Sequence, residues 1–218
     1  ASRNRLGLYL LIVADFTGTM ALIVSYVYLW SLNVNGQWAP NNASFGSNNV
    51  ITGTTPLPWA ADWIFWTILV VTIVATLLMW WAARGIKAGQ HGRLMTGAGL
   101  SSLVILLALI MQIWQMMTFP FGPSNGAYAS AVYLLTGSAA IHFVLVLFIA
   151  VAVLNRGRAG LISKDNPSQA SLVAIYMTWI CASLLLACLC TTFMKTSSNP
   201  NPAPFGQLTQ PGADVPNP

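Results

Sequence analysis

Five apolar runs, at approximately 6–30, 60–83, 94–118, 128–154 and 170–194, occupy most of this 218-residue chain. Each suits the roughly 20 helical residues needed to cross a hydrocarbon core of about 30 Å. No water is available there to bond backbone N–H and C=O groups, so a spanning segment must be a helix or a strand of a closed barrel. Barrel strands alternate in polarity with a period of two, and a stretch such as LSSLVILLALIMQIW (100–114) does not. The sequence therefore predicts an all-α fold, a polytopic membrane bundle of five transmembrane helices. Only 6% of the residues are charged, against about 25% in water-soluble domains, which points the same way. The first run exceeds the apolar region of about 7–15 residues found in cleavable signal peptides, so it is expected to be retained as a span.

The formal charge of +5 is accounted for by where the charges lie. Arg3 and Arg5 precede the first run, Arg84, Lys87 and Arg93 fall between the second and third, and Arg156, Arg158 and Lys164 between the fourth and fifth. Only Lys195 belongs to the other side. The positive-inside rule then predicts a cytoplasmic N-terminus and an external C-terminus, and no nucleic-acid partner is needed to explain the basic balance.

Residues 1–195 are expected to form one membrane domain, followed by a Pro/Asn-rich extracytoplasmic tail over 196–218 that should be extended and mobile on its own. The loop NVNGQWAPNNASFGSNN (33–49) predicts irregular chain with turns, and its NAS at Asn42 matches a glycosylation acceptor only weakly. Trp59, Trp63 and Trp66 open the second run and Trp80 and Trp81 close it, the pattern of an interfacial aromatic belt. Cys181, Cys188 and Cys190 lack CxxC spacing and read as small residues packed among helices. Gly7 and Gly18 in the first run, and Gly137 beside Ser138, Ala139 and Ala140 in the fourth, are expected to permit close helix approach.

Two charged or titratable residues, Asp15 and His142, lie toward the centre of apolar runs. Such a group costs about 2.5–3.5 kcal/mol at mid-span on insertion scales, so it faces protein or water and finds a partner. At about 1.5 Å per residue, Asp15 lies roughly 13 Å and His142 roughly 18 Å from the basic end, a shared level. Either the two pair directly, or each bonds a separate carbonyl or hydroxyl. Gln112 and Gln115 lie about 27–32 Å along the third helix, near the far boundary, where they are expected to reach water or loops. With only His91 and His142 present, the paired axial ligands of a membrane cytochrome b are not available. No catalytic, cofactor-binding or metal-binding residue is predicted in this chain.

The residues around these positions resemble the cytochrome c oxidase subunit III family of the haem-copper oxidases, in its five-helix form. LGLYLLIVADFTGTMALIVSYVYLW (6–30) is similar to a family helix of the type LGxWLFLASE/D with Asp15 at the acid position. VYLLTGSAAIHFV (132–144) resembles FxLLTGFHGLHV, sharing Thr136, Gly137 and His142, with Ala139 in place of the first histidine. QIWQM (112–116) corresponds to QxYEW, with Gln115 where the family has Glu. The family's WHFVD core has no counterpart before the fifth helix. The resemblance implies a non-catalytic accessory subunit of a proton-pumping terminal oxidase in a bacterial or archaeal cytoplasmic (inner) membrane. It implies contact chiefly with oxidase subunit I, then with subunit II and small subunits, while haem and copper reside in those partners. It further implies bound phospholipid in a cleft near the buried acid, with Asp15, His142, Gln112 and Gln115 as the polar or proton-handling positions. The alternatives are a subunit-III-like protein of a quinol oxidase or nitric oxide reductase system, and, from another class, a small proton channel or transporter.

Overall fold

A computed structural model describes residues 2–33, 38–40, 44–45, 51–52 and 55–198. The chain runs α1 (Ser2–Leu32), β1 (Ser44–Phe45), β2 (Ile51–Thr52), α2 (Asp62–Lys87), α3 (His91–Met117), α4 (Ala127–Arg158) and α5 (Ser168–Phe193). All five helices are long and apolar enough to cross a membrane, so this is a multi-pass helical membrane protein. β1 and β2 form a two-residue antiparallel ladder in the loop after α1. The acceptor pattern at Asn42 and residues 199–218 of the tail lie outside the described residues.

Helices outlast their apolar runs where hydrogen bonding can continue into polar sequence, and two of the stops, after α2 and α4, are set by glycine caps. α2 ends where Gly89 takes φ 77°. Its N–H reaches Ile86 O at 3.0 Å, and Gln90 N–H reaches Gly85 O at 2.9 Å. α4 ends the same way, with Gly160 at φ 70°, Gly160 N–H to Gly157 O at 2.9 Å and Leu161 N–H to Arg156 O at 3.0 Å. Both are Schellman caps, whose left-handed residue carries little penalty only without a Cβ.

Paired contacts give the helix directions. Trp66 bonds Thr192 and Trp80 bonds Thr178, so α2 and α5 are antiparallel. Asp15 bonds Trp179 and Thr19 bonds Ser183, so α1 and α5 are parallel. The start of α1, the α2–α3 turn and the α4–α5 turn therefore share one end, the basic end, which carries eight of the nine basic residues. The opposite, tail end holds Lys195, paired with Asp62 at 2.7 Å.

Close helix approach occurs at glycines other than those expected. A Cβ on Gly7 or Gly18 would meet nothing within 4 Å, and one on Gly137 would touch only Met116 Cε at 3.9 Å. The tight crossings lie at Gly85, Gly97 and Gly157, where a Cβ would fall 2.5 Å from Arg93 Cβ, 2.8 Å from Ala82 Cβ and 3.1 Å from Met95 Sδ. They place the densest packing along α2, α3 and α4. α1 instead exposes Leu6, Leu10, Val13 and Val24, packs Ile12, Leu22, Tyr26 and Leu29 against the core, and adds polar contacts to α4 and α5.

At the tail end the loop after α1 is plugged into the bundle. Asn33, at φ 42°, ends α1 and its Oδ1 accepts the backbone N–H of Trp38 at 3.0 Å. Trp38 is 1% exposed and meets Tyr26 edge-on at a centroid separation of 4.9 Å, while its indole donates to Lys195 O at 2.8 Å. The first tail residues are tied down as well. Trp30 Nε1 donates to Thr196 O and Ser197 Oγ to Trp30 O, each at 2.6 Å.

Candidate functional site

Asp15, near the midpoint of α1, reaches helices on both sides. Its Oδ1 lies 2.6 Å from His142 Nε2 on α4, and its Oδ2 accepts the Trp179 indole N–H on α5 at 2.7 Å. His142 Nδ1 lies 2.7 Å from the carbonyl oxygen of Ser138. A carbonyl can only accept, so Nδ1 carries a hydrogen. The short Nε2–Oδ1 contact requires one further proton between its atoms. The pair is then either imidazolium with carboxylate or neutral imidazole with carboxylic acid, and both forms have zero net charge. That neutrality is what makes two ionisable groups tolerable at mid-span.

The direct pairing, one of the two arrangements open at the sequence level, is the one adopted. Trp179, which is not among the candidate residues of the sequence, completes it. Its signal was available: Trp179 sits in the middle of an apolar run, away from either interface, and a buried indole N–H demands an acceptor. The ring also packs against Phe16 of α1, with centroids 5.7 Å apart.

The joint is not sealed, since the side chains of His142 and Asp15 are 13% and 16% exposed. Toward the tail end, a narrow crevice opens beside them between α1, α4 and α5, with Thr19, Leu22, Ser138, Ala139, Phe143 and Ser183 among its walls. Thr19 and Ser183 face each other at 3.3 Å inside it. Ala139 contributes only a methyl group to that wall. A second, more apolar groove continues between Leu22, Tyr26 and Leu29 of α1 and Ser130, Leu134 and Leu135 of α4.

Gln112 and Gln115 do not join this site, nor do they reach water as expected. They are 2% and 1% exposed, and Gln112 Nε2 donates to Gln115 Oε1 at 2.9 Å within α3. Height along the helix was a poor guide, because both point inward toward the neighbouring helices. Gln115 Nε2 is buried with no hydrogen-bond partner among the described residues. Among the cysteines, which are free thiols, Cys188 packs against the Phe65 carbonyl and Cys181 against Thr76. Among the described residues no third His, Cys, Asp or Glu joins Asp15 and His142 as a possible metal ligand.

Fold and site together define the class: a multi-pass helical membrane protein with a net-neutral carboxylate–imidazole joint at mid-span, beside a crevice between α1, α4 and α5. No family model matches this chain, and no curated protein matches it.

Proposed function

We propose that this chain is a non-catalytic companion subunit of a haem-copper terminal oxidase, of the subunit III type, in a bacterial or archaeal cytoplasmic membrane. The observation that carries the reading is the Asp15–His142 contact at 2.6 Å. It brings together the acid and the histidine of the two segments whose sequences resemble that family, although they stand 127 residues apart. On this reading the joint holds α1 against α4 and α5, and lipid chains lie along the more apolar groove between α1 and α4, since the crevice at the joint itself is only water-sized. The basic end faces the cytoplasm, since an excess of Lys and Arg marks the cytoplasmic side. Haem and copper belong to the larger partners, which α1 would meet through its exposed apolar face.

A second reading, a proton channel, draws on the shared proton and the partial exposure of the pair. It is the weaker one, because the crevice walls toward the tail end are mostly apolar and offer only scattered hydroxyls for a relay.

Purification of the chain from its native membranes tests the proposal. Co-isolation with a large subunit showing haem absorption is expected, and a chain recovered without any haem-bearing partner refutes it. Proton flux through liposomes containing the chain alone would instead favour the channel.

A further inference from the structure

At the basic end, Leu77, Trp80, Trp81 and Arg84 of α2 and Arg93 of α3 line a surface pocket remote from the α1–α4 crevice. The pocket has a built order of chemistry. Leu77, Trp81 and Arg84 are spaced i, i+4 and i+7, so they share one face of α2 and span about 10 Å along its axis. Leu77 is 62% exposed at the level of the apolar run, Trp81 is 39% exposed one turn further, and Arg84 lies beyond them where that run gives way to polar sequence. Aliphatic, aromatic and cationic groups thus follow one another in the order in which a phospholipid presents its acyl chain, its glycerol region and its phosphate.

Arg93 is brought to the same pocket by the tight α2–α3 crossing. A Cβ on Gly85 would collide with Arg93 Cβ at 2.5 Å, and one on Gly97 with Trp81 Cε3 at 2.9 Å, so only glycines allow this approach. The Arg93 guanidinium is held over the Trp81 ring at 4.9 Å, and its Nη1 donates to Gln90 Oε1 at 2.8 Å. Arg84 makes no side-chain hydrogen bond or ion pair among the described residues, and no acid pairs with either arginine. The one acidic residue at this end, Asp165, lies in the α4–α5 turn. Two cations thus share one pocket wall without a counter-charge, and guanidinium groups bind phosphate oxygens well.

We infer that this pocket binds the phosphate of an anionic phospholipid, with Arg84 and Arg93 on the headgroup, Trp81 at the glycerol level and Leu77 along the acyl chain. The pocket opens onto the outer surface of a spanning helix, which favours a lipid over a free phosphate ion. The inference rests on these five residues and not on the accessory-subunit reading.

Native mass spectrometry of the full chain, released from detergent with equal phosphatidylglycerol and phosphatidylcholine, tests it. The wild type is expected to retain the anionic lipid preferentially, and Arg84→Gln to lower that preference about fivefold, the size of one interfacial cation's contribution. Arg84→Gln/Arg93→Gln should abolish it. Lys87→Gln/Arg158→Gln removes the same charge from the same end outside the pocket and should leave the preference intact. The inference is overturned if that control pair lowers the preference as much, if the wild type shows none, or if millimolar inorganic phosphate displaces the lipid. Because the Arg84 guanidinium makes no hydrogen bond among the described residues, Arg84→Gln reads the site even where the double variant fails to assemble.

Discussion

Asp15 and His142 meet at 2.6 Å, carboxylate oxygen to imidazole nitrogen, across α1 and α4. Because His142 Nδ1 is committed to the Ser138 carbonyl at 2.7 Å, the contact holds one proton whichever partner owns it. α1 buries little apolar surface, and between lipid-exposed helices no hydrophobic force drives association. This joint, with Thr19–Ser183 and the Trp30 and Tyr26 contacts nearer the tail end, therefore adds to the close packing of Ile12, Leu22 and Leu29 in keeping α1 in place.

A double-mutant cycle on Asp15→Ala and His142→Ala is expected to show a coupling of about 1–2 kcal/mol in detergent-mixture unfolding. Asp15→Asn should cost less than Asp15→Ala. Its amide can donate to Nε2 and accept from the Trp179 indole, so both neighbours stay bonded. Equal losses for the two variants would show that an amide cannot replace the carboxyl group in the joint.

Gln112 and Gln115 should display strong non-additivity. Gln112→Leu alone leaves the buried Gln115 side chain without its one donor, costing about 1–3 kcal/mol. Gln112→Leu/Gln115→Leu removes the orphaned groups together and is expected to be less destabilising than either single change. Thermal unfolding of the three variants decides it.

The glycines should separate into two groups. Gly85→Ala and Gly97→Ala force α2 and α3 apart and are expected to destabilise by about 1–3 kcal/mol. Gly7→Ala and Gly18→Ala meet open space and should be neutral or stabilising by up to about 1 kcal/mol. The same unfolding assay reports both groups.

At the tail end, Lys195→Met should cost less than about 1 kcal/mol, since the Lys195–Asp62 pair is partly exposed and screened. Trp38→Ala, which empties a buried site and removes the indole bond to Lys195 O, is expected to cost about 3–5 kcal/mol. Added salt should weaken only the former contribution. Measuring both at low and high ionic strength checks the ranking.

Much of this was legible along the chain. Apolar runs of spanning length required five helices, the position of the acids and histidines marked Asp15 and His142, and an ionised group in hydrocarbon had to have a partner. These are one-dimensional properties, set by the cost of placing particular atoms in lipid. What the chain could not reveal was azimuth. Whether Gln112 and Gln115 faced water or one another, whether Gly97 or Gly18 lay at a crossing, and that Trp179 would supply the second bond to Asp15 all depend on how each helix is rotated about its axis. That rotation is fixed by packing against neighbours distant in sequence. Amphipathic patterning, which reveals the buried face of a helix in water, is largely erased when the outer face must be apolar too. In this protein the sequence by itself determined which segments enter the apolar layer and which groups there need partners, because those follow from solvation. Only the tertiary structure decided which partners they found, because that follows from close contact between helices whose lipid-facing and protein-facing sides are alike in composition.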